Sequence, residues 1–264
     1  MRAGLTAGHS ITITVGDLPI CTYAYGAALP RLARLRTLTG APLASTLTWT
    51  PPHADPGRAD HLTLTDLSAT ASTATVAHHL RWSAVDEWRS LTAALAGTDT
   101  WLLLFENTVT NVSGRPLPLT GPSLSLTGTT TASSAARTDW RAAYDPEFTL
   151  VVVDDTANLR HPPRWPSGLS PAPFSTGAVT LEADRTVAFR YAVVVAPGDH
   201  DPGRASALAA LGRDALAGPL PTVTRGHVCR SEHPRRGPIH RTRTRVLLRQ
   251  CENHDGTPPT AWPG

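Results

Sequence analysis

The chain of 264 residues contains no lysine: all 24 of its Lys+Arg residues are arginine. A single methionine opens it, and only three cysteines occur, at positions 21, 229 and 251. Each scarcity excludes something. Without a side-chain amine there is no Schiff-base chemistry. Without lysine there is neither a P-loop nor a kinase strand lysine. Three widely spaced cysteines build no disulfide framework. No apolar run approaches the roughly 18 residues that span a bilayer. The N-terminal residues Met1 to Ser10 lack the apolar stretch of a secretory signal. These features predict a cytoplasmic protein that does not enter a membrane. Heavy use of Ala, Arg, Gly, Pro and Thr points to coding bias as the origin of the all-arginine surface.

What is present reads mostly as strand. Ile11 to Val15 alternates with period two, Gly16-Asp17 makes a turn, and Leu18 to Tyr25 returns. Thr46 to Thr50, His61 to Thr65, Thr75 to Trp82, Ser90 to Leu95 and Trp101 to Val112 follow as further extended segments. Leu117 to Leu126 reads as another. Phe148 to Val153 and Val187 to Val195 are nearly continuous apolar runs, as strands buried on both faces show. Many strands without helices between them predict an all-β antiparallel sandwich. One helix is expected near the C-terminal end. Asp201 suits its N-cap, Pro202 its first turn, and Ala205, Leu208, Ala209, Ala215 and Leu216 form its apolar stripe. Gly218-Pro219 stops it.

The composition changes there. Residues 1–217 form the expected domain, and 218–264 an Arg- and Pro-rich tail expected to be disordered. From residue 219 on, the tail holds eight Arg and three acids, leaving 16 Arg and 18 acids elsewhere. The body is therefore slightly acidic, and the positive excess lies in the tail. Cys229, His233, Cys251 and His254 offer four soft ligands in two close pairs. Their spacing matches no standard zinc finger, so no metal and no cofactor is expected. Arg241, Arg243, Arg245 and Arg249 can meet phosphates, but Trp262 is the tail's one aromatic, so nucleic acid is not the expected partner.

Candidate chemistry lies in the body. His53, Asp55, Asp60 and His61 fall within nine positions of a loop that leads into a strand. Paired imidazoles with carboxylates suit general acid–base work near neutral pH. A polar turn is the plainer reading of the same residues. Glu106 ends an apolar run as an acid–base candidate, or as a rim residue. His78 and His79 point to opposite faces of a strand, so at most one serves a site. Arg36 can hold an anion or simply pair with a carboxylate. Arg164 beside Trp165 suits sugar binding, unless the indole anchors the core.

Three groups of segments carry a family resemblance: Leu35 to Gly40; Phe105 to Leu117; and His161-Pro-Pro-Arg-Trp165 with Val179 to Gly198. In that order they resemble the bacterial family labelled methane oxygenase PmoA, whose activity is not established. The resemblance implies a galactose-mutarotase-like supersandwich and a carbohydrate setting. The sequence departs from the family where a site is expected. Arg34-Leu35 replaces the family's His-Pro, and only His53 and Asp60-His61 stand in for its histidine-rich run. The resemblance thus implies an atypical, internally shortened member.

Three functions follow as expectations. One is a sugar-processing enzyme with His53, Asp60, His61 and Glu106 as catalytic groups. Another is a non-catalytic sugar-binding sandwich using Arg36, Arg164 and Trp165. The third is a degenerate member without activity. The first requires His53 or His61 near Arg36, Glu106 or Arg164; the second requires an exposed Trp165.

Overall fold

In the computed structural model, residues 1–120, 124–128, 134–198 and 201–218 are described. Met1–Leu220 forms one unit and Pro221–Gly264 a second. The second unit, with Cys229, His233, Cys251 and His254, lies outside the described residues, as does the expectation of disorder there.

Among the described residues, eighteen strands precede one helix. They are β1 (Arg2–Thr6), β2 (Ser10–Val15), β3 (Leu18–Ala24), β4 (Arg31–Ala33), β5 (Thr46–Trp49), β6 (Asp60–Ala69), β7 (Thr73–Arg81), β8 (Val85–Leu95) and β9 (Trp101–Asn111). Then come β10 (Leu117–Leu119), β11 (Leu124–Thr127), β12 (Ser134–Arg137), β13 (Trp140–Asp145), β14 (Phe148–Asp154), β15 (Arg164–Ser167), β16 (Ser170–Ala172), β17 (Val179–Leu181) and β18 (Thr186–Pro197). The helix α1 spans Pro202–Ala217.

The strands build an antiparallel sandwich. One sheet has the order β1-β2-β3-β4-β5-β11, and the larger has β13-β14-β18-β9-β8-β7-β6. Two small sheets, β10-β17 and β12-β15-β16, complete it. The expected run from Leu117 to Leu126 is in fact two strands in different sheets. β10 pairs with β17, and β11 pairs with β5.

Alternation explains the layers. Ile11, Ile13, Cys21, Tyr23, Leu47 and Trp49 of the first sheet meet Val76, Leu80, Leu91, Phe105, Phe189 and Val193 of the second in the main core. β14 and β18 bury both faces, which is why their sequences read as unbroken apolar runs. Leu150, Val152 and Val193 face the other sheet, whereas Val151, Val153, Ala192 and Val194 face α1.

The helix starts as its caps dictate. The Asp201 side chain accepts from the Gly203 amide at 2.8 Å, and Pro202 occupies the first turn. It lies against the outer face of the larger sheet through Ala205, Leu208, Ala209 and Leu216. Gly212 sets the distance: a Cβ there would sit 2.7 Å from Val153 Cγ2. Among the described residues, no helix is long and apolar enough to cross a membrane.

Candidate functional site

Period two on β8 places Val85, Glu87, Arg89, Leu91 and Ala93 on the inward face. Two opposite charges therefore enter the core on a strand face that is otherwise apolar. Glu87 and Arg89 are 0% and 1% exposed and bond twice: Arg89 Nε to Glu87 Oε1 at 2.6 Å and Nη2 to Oε2 at 3.0 Å. Trp82 Nε1 donates to Glu87 Oε2 at 2.8 Å. The guanidinium also donates to the Trp49 carbonyl at 3.2 Å, and its carbon lies 5.4 Å from the Trp49 ring centroid. Burial opposes the charge on Arg89, but Glu87 and Tyr23 outweigh it and hold the guanidinium above its ordinary range.

From this pair a chain of hydrogen bonds runs outward. Arg89 Nη1 lies 3.1 Å from Tyr23 Oη, Tyr23 Oη lies 2.7 Å from His78 Nε2, and His78 Nδ1 lies 3.1 Å from His61 Nδ1. Arginine only donates, so the phenol accepts from Arg89. The ring nitrogens of His78 and His61 donate or accept according to tautomer. In one self-consistent arrangement the phenol donates to His78 Nε2, His78 Nδ1 donates to His61 Nδ1, and His61 holds its proton on Nε2, at the half-exposed end of the chain. The Tyr25 ring packs against the His61 imidazole with its centroid 4.8 Å away, and lies 6.5 Å from that of His78. Burial lowers the His61 pKa and, joined by repulsion from Arg89, takes that of His78 to about 2, so both rings are neutral at pH 7. Burial raises Tyr23 to about 12 despite Arg89.

The other expected residues do not join this chain. His53 is buried in the loop before β6, and its Nε2 has no partner among the described residues. Burial lowers its pKa, partly offset by Asp55. Asp60 is exposed at the start of β6, 3.9 Å from Arg58. Glu106 is a correction. Leu103 and Phe105 take the inward positions of β9, so Glu106 points to the outer face. There its Oε1 accepts from Arg190 Nε at 2.8 Å, while Arg190 Nη1 bonds Asp155 at 2.7 Å and the Leu216 carbonyl at 2.9 Å. This group ties the end of α1 to the sheet. Arg36 donates to the Gly40 carbonyl at 3.0 Å and so braces its own turn. Trp165 is a second correction. It is 0% exposed, with Nε1 donating to the Thr138 carbonyl at 2.8 Å, so its ring offers no face to a sugar. Arg164 beside it is exposed. Cys21 is a core residue, and burial raises its thiol to about 12.

In sequence His161 stands only within a segment of family resemblance, yet it has a carboxylate partner. His161 Nδ1 lies 2.7 Å from Asp154 Oδ2, and Asn158 Nδ2 donates to the other Asp154 oxygen at 2.7 Å. Burial pushes Asp154 up to about 6, against the pull of Asn158 and His161. Among the described residues, no three His, Cys, Asp or Glu side chains group as a metal site.

Residues 123–210 match the model of DUF6807, a family of unknown function. The match covers a third of the chain. It takes in Asp154, His161 and Arg190, and leaves Tyr23, His61, His78 and Arg89 outside. No curated protein matches the chain.

Glu87 and Arg89 had a legible signal that the strand reading missed by starting at Ser90. Charges at alternate positions of an apolar face mark a buried pair. Tyr23 and His78 had none, because their bond joins strands 55 residues apart.

Proposed function

We propose that the chain processes a small polyhydroxy molecule, a sugar, at the edge of the sandwich where His61 emerges, on a different set of residues from the one expected from sequence. The expected site does not form: among the described residues, neither His53 nor His61 bonds to Arg36, Glu106 or Arg164. His61 is the proton donor of this reading. One observation carries it: the chain of hydrogen bonds from Arg89 through Tyr23 and His78 ends on the half-exposed His61. The reading takes the tautomers in which His61 holds its proton on Nε2. When His61 gives up its Nε2 proton, Nδ1 takes one from His78. His78 Nε2 takes the phenol proton, and the phenolate stays beside the Arg89 guanidinium. Each imidazole remains neutral throughout.

Burial holds the Tyr23 proton at neutral pH. The chain therefore releases it only to an oxygen that becomes strongly basic during reaction. The ring oxygen of a sugar does so as its bond to the anomeric carbon breaks, while the anomeric hydroxyl proton leaves to solvent and a carbonyl forms. The antiparallel sandwich and the galactose-mutarotase-like architecture implied by the PmoA resemblance fit such a reaction, by analogy of fold. The alternative of a binding module built on Trp165 is not retained, because that indole is buried.

Anomer exchange followed by NMR across a panel of aldoses tests this reading. The wild type is expected to accelerate exchange of at least one sugar. His61→Ala should abolish the acceleration, and Tyr23→Phe should lower it by about 10²–10⁴, the usual range for general acid–base catalysis. No acceleration by the wild type, or an unchanged rate in His61→Ala, refutes it.

A further inference from the structure

Arg137 and Arg164 stand directly opposite each other across β12 and β15. Both are exposed. Directly opposed residues share a face, and like charges so placed are destabilising. Among the described residues neither has a carboxylate partner. The nearby acids are engaged elsewhere: Asp139 with Arg213 at 2.6 Å and Asp154 with His161 at 2.7 Å. The Arg137 guanidinium is also held in place, with Nε donating to the Pro162 carbonyl at 2.7 Å and Nη2 to the Arg160 carbonyl at 2.8 Å. One anchored and one unpaired guanidinium, neither neutralised by a carboxylate among the described residues, make a site for an oxyanion.

What lies beside them narrows the ligand. One residue beyond Arg137, a depression of about 300 Å³ begins, lined by Thr138, Trp140, Arg141, Ala142 and Tyr144. That volume is at the small end of ligand sites. Trp140 and Tyr144 project on one face of β13 with Ala142 between them. An indole, a phenol and a hydroxyl suit a pyranose ring, and a bare phosphate would use none of them. We propose that Arg137 and Arg164 bind the carboxylate of an acidic sugar, a uronate, whose ring lies in this depression against Trp140. The proposal does not rest on His61.

Calorimetric titration of the full chain with digalacturonate, methyl galactoside and inorganic phosphate tests it. Uronate should bind, and more weakly as salt rises. Arg164→Gln removes a side chain that bonds nothing among the described residues, so it leaves the fold intact. It should weaken uronate binding by about tenfold, the scale of one charge-assisted hydrogen bond. Trp140→Ala should also weaken it, and Arg31→Gln, at an exposed arginine of β4, should not. Equal affinity for the neutral galactoside, phosphate binding without uronate binding, or full affinity in Arg164→Gln overturns the proposal. Uronate binding that persists in His61→Ala shows that the two sites are separate, and its loss there overturns the separate site.

Discussion

Replacing Arg89 by Met removes one charge from the sandwich core while nearly conserving volume. The change strands the Glu87 carboxylate, 0% exposed, with Trp82 and Asn107 as its remaining donors, at 2.8 Å and 3.4 Å. It also takes a donor from Tyr23 Oη and from the Trp49 carbonyl. Breaking one partner of a buried pair costs about 3–5 kcal/mol. For a domain of this size that corresponds to a melting point lowered by about 6–20 °C. Glu87→Gln should cost a similar amount by leaving the guanidinium unmatched. The double variant discriminates. It buries no unpaired charge, so it should be no worse than either single variant, with a coupling energy of about 2 kcal/mol or more. Urea unfolding of all four proteins, followed by tryptophan fluorescence, measures the cycle. Single costs that simply add would refute the coupled pair, and with it the electrostatic anchor of the proton chain.

Three further outcomes follow. His78 is held at about 2 against an ordinary 6.5, so below pH 6.5 the unfolded chain takes up a proton that the folded chain refuses. Stability should fall with pH by up to about 1.4 kcal/mol per unit, more steeply than in His78→Gln. Asp154, raised to about 6 from 3.8, acts in the opposite sense between those values, so its contribution to stability is lost as pH rises. Urea midpoints from pH 7 to 4 read the difference, and parallel curves for wild type and His78→Gln would refute the assignment. Gly212→Ala pushes a methyl into Val153 and should destabilise by about 1–3 kcal/mol, seen as an earlier thermal transition; an unchanged transition means that α1 can shift freely on the sheet. Asp201→Ala removes the N-cap bond to Gly203 and should cost about 1 kcal/mol, with Asp201→Asn retaining most of it.

The fold was legible wherever one periodicity dominated. Ile11 to Val15 and Leu18 onward announce a hairpin, and Gly16 takes the positive φ of 58° that its turn needs. The helix was legible at both ends, from Asp201-Pro202 to Gly218. β1 was not. Its residues are mostly exposed, so no face is apolar and no alternation appears; its pairing with β2 defines it. β13 was missed for a related reason. One of its faces meets α1 and the other meets the main core only through Ala143, so Trp140 to Asp145 shows no sharp contrast.

The candidate site was legible only in part, because neighbours in sequence are not neighbours in a sheet. His53, Asp60 and His61 cluster along the chain, but a loop and a strand entry separate their surroundings. His61 instead meets His78, which lies on the adjoining strand, where residues near the same register stay within reach. The alternation rule had shown that only one of His78 and His79 could serve a site. The decisive partner, Tyr23, comes from the opposite sheet and closes the contact across the core. Period two thus predicts which side chains enter the core, and the packing of the two sheets decides which of them meet. The same limit explains Glu106. Period two sets it on one face with Leu102 and Leu104, but only the sheet order shows that this face looks toward Arg190 and α1 rather than toward the histidines.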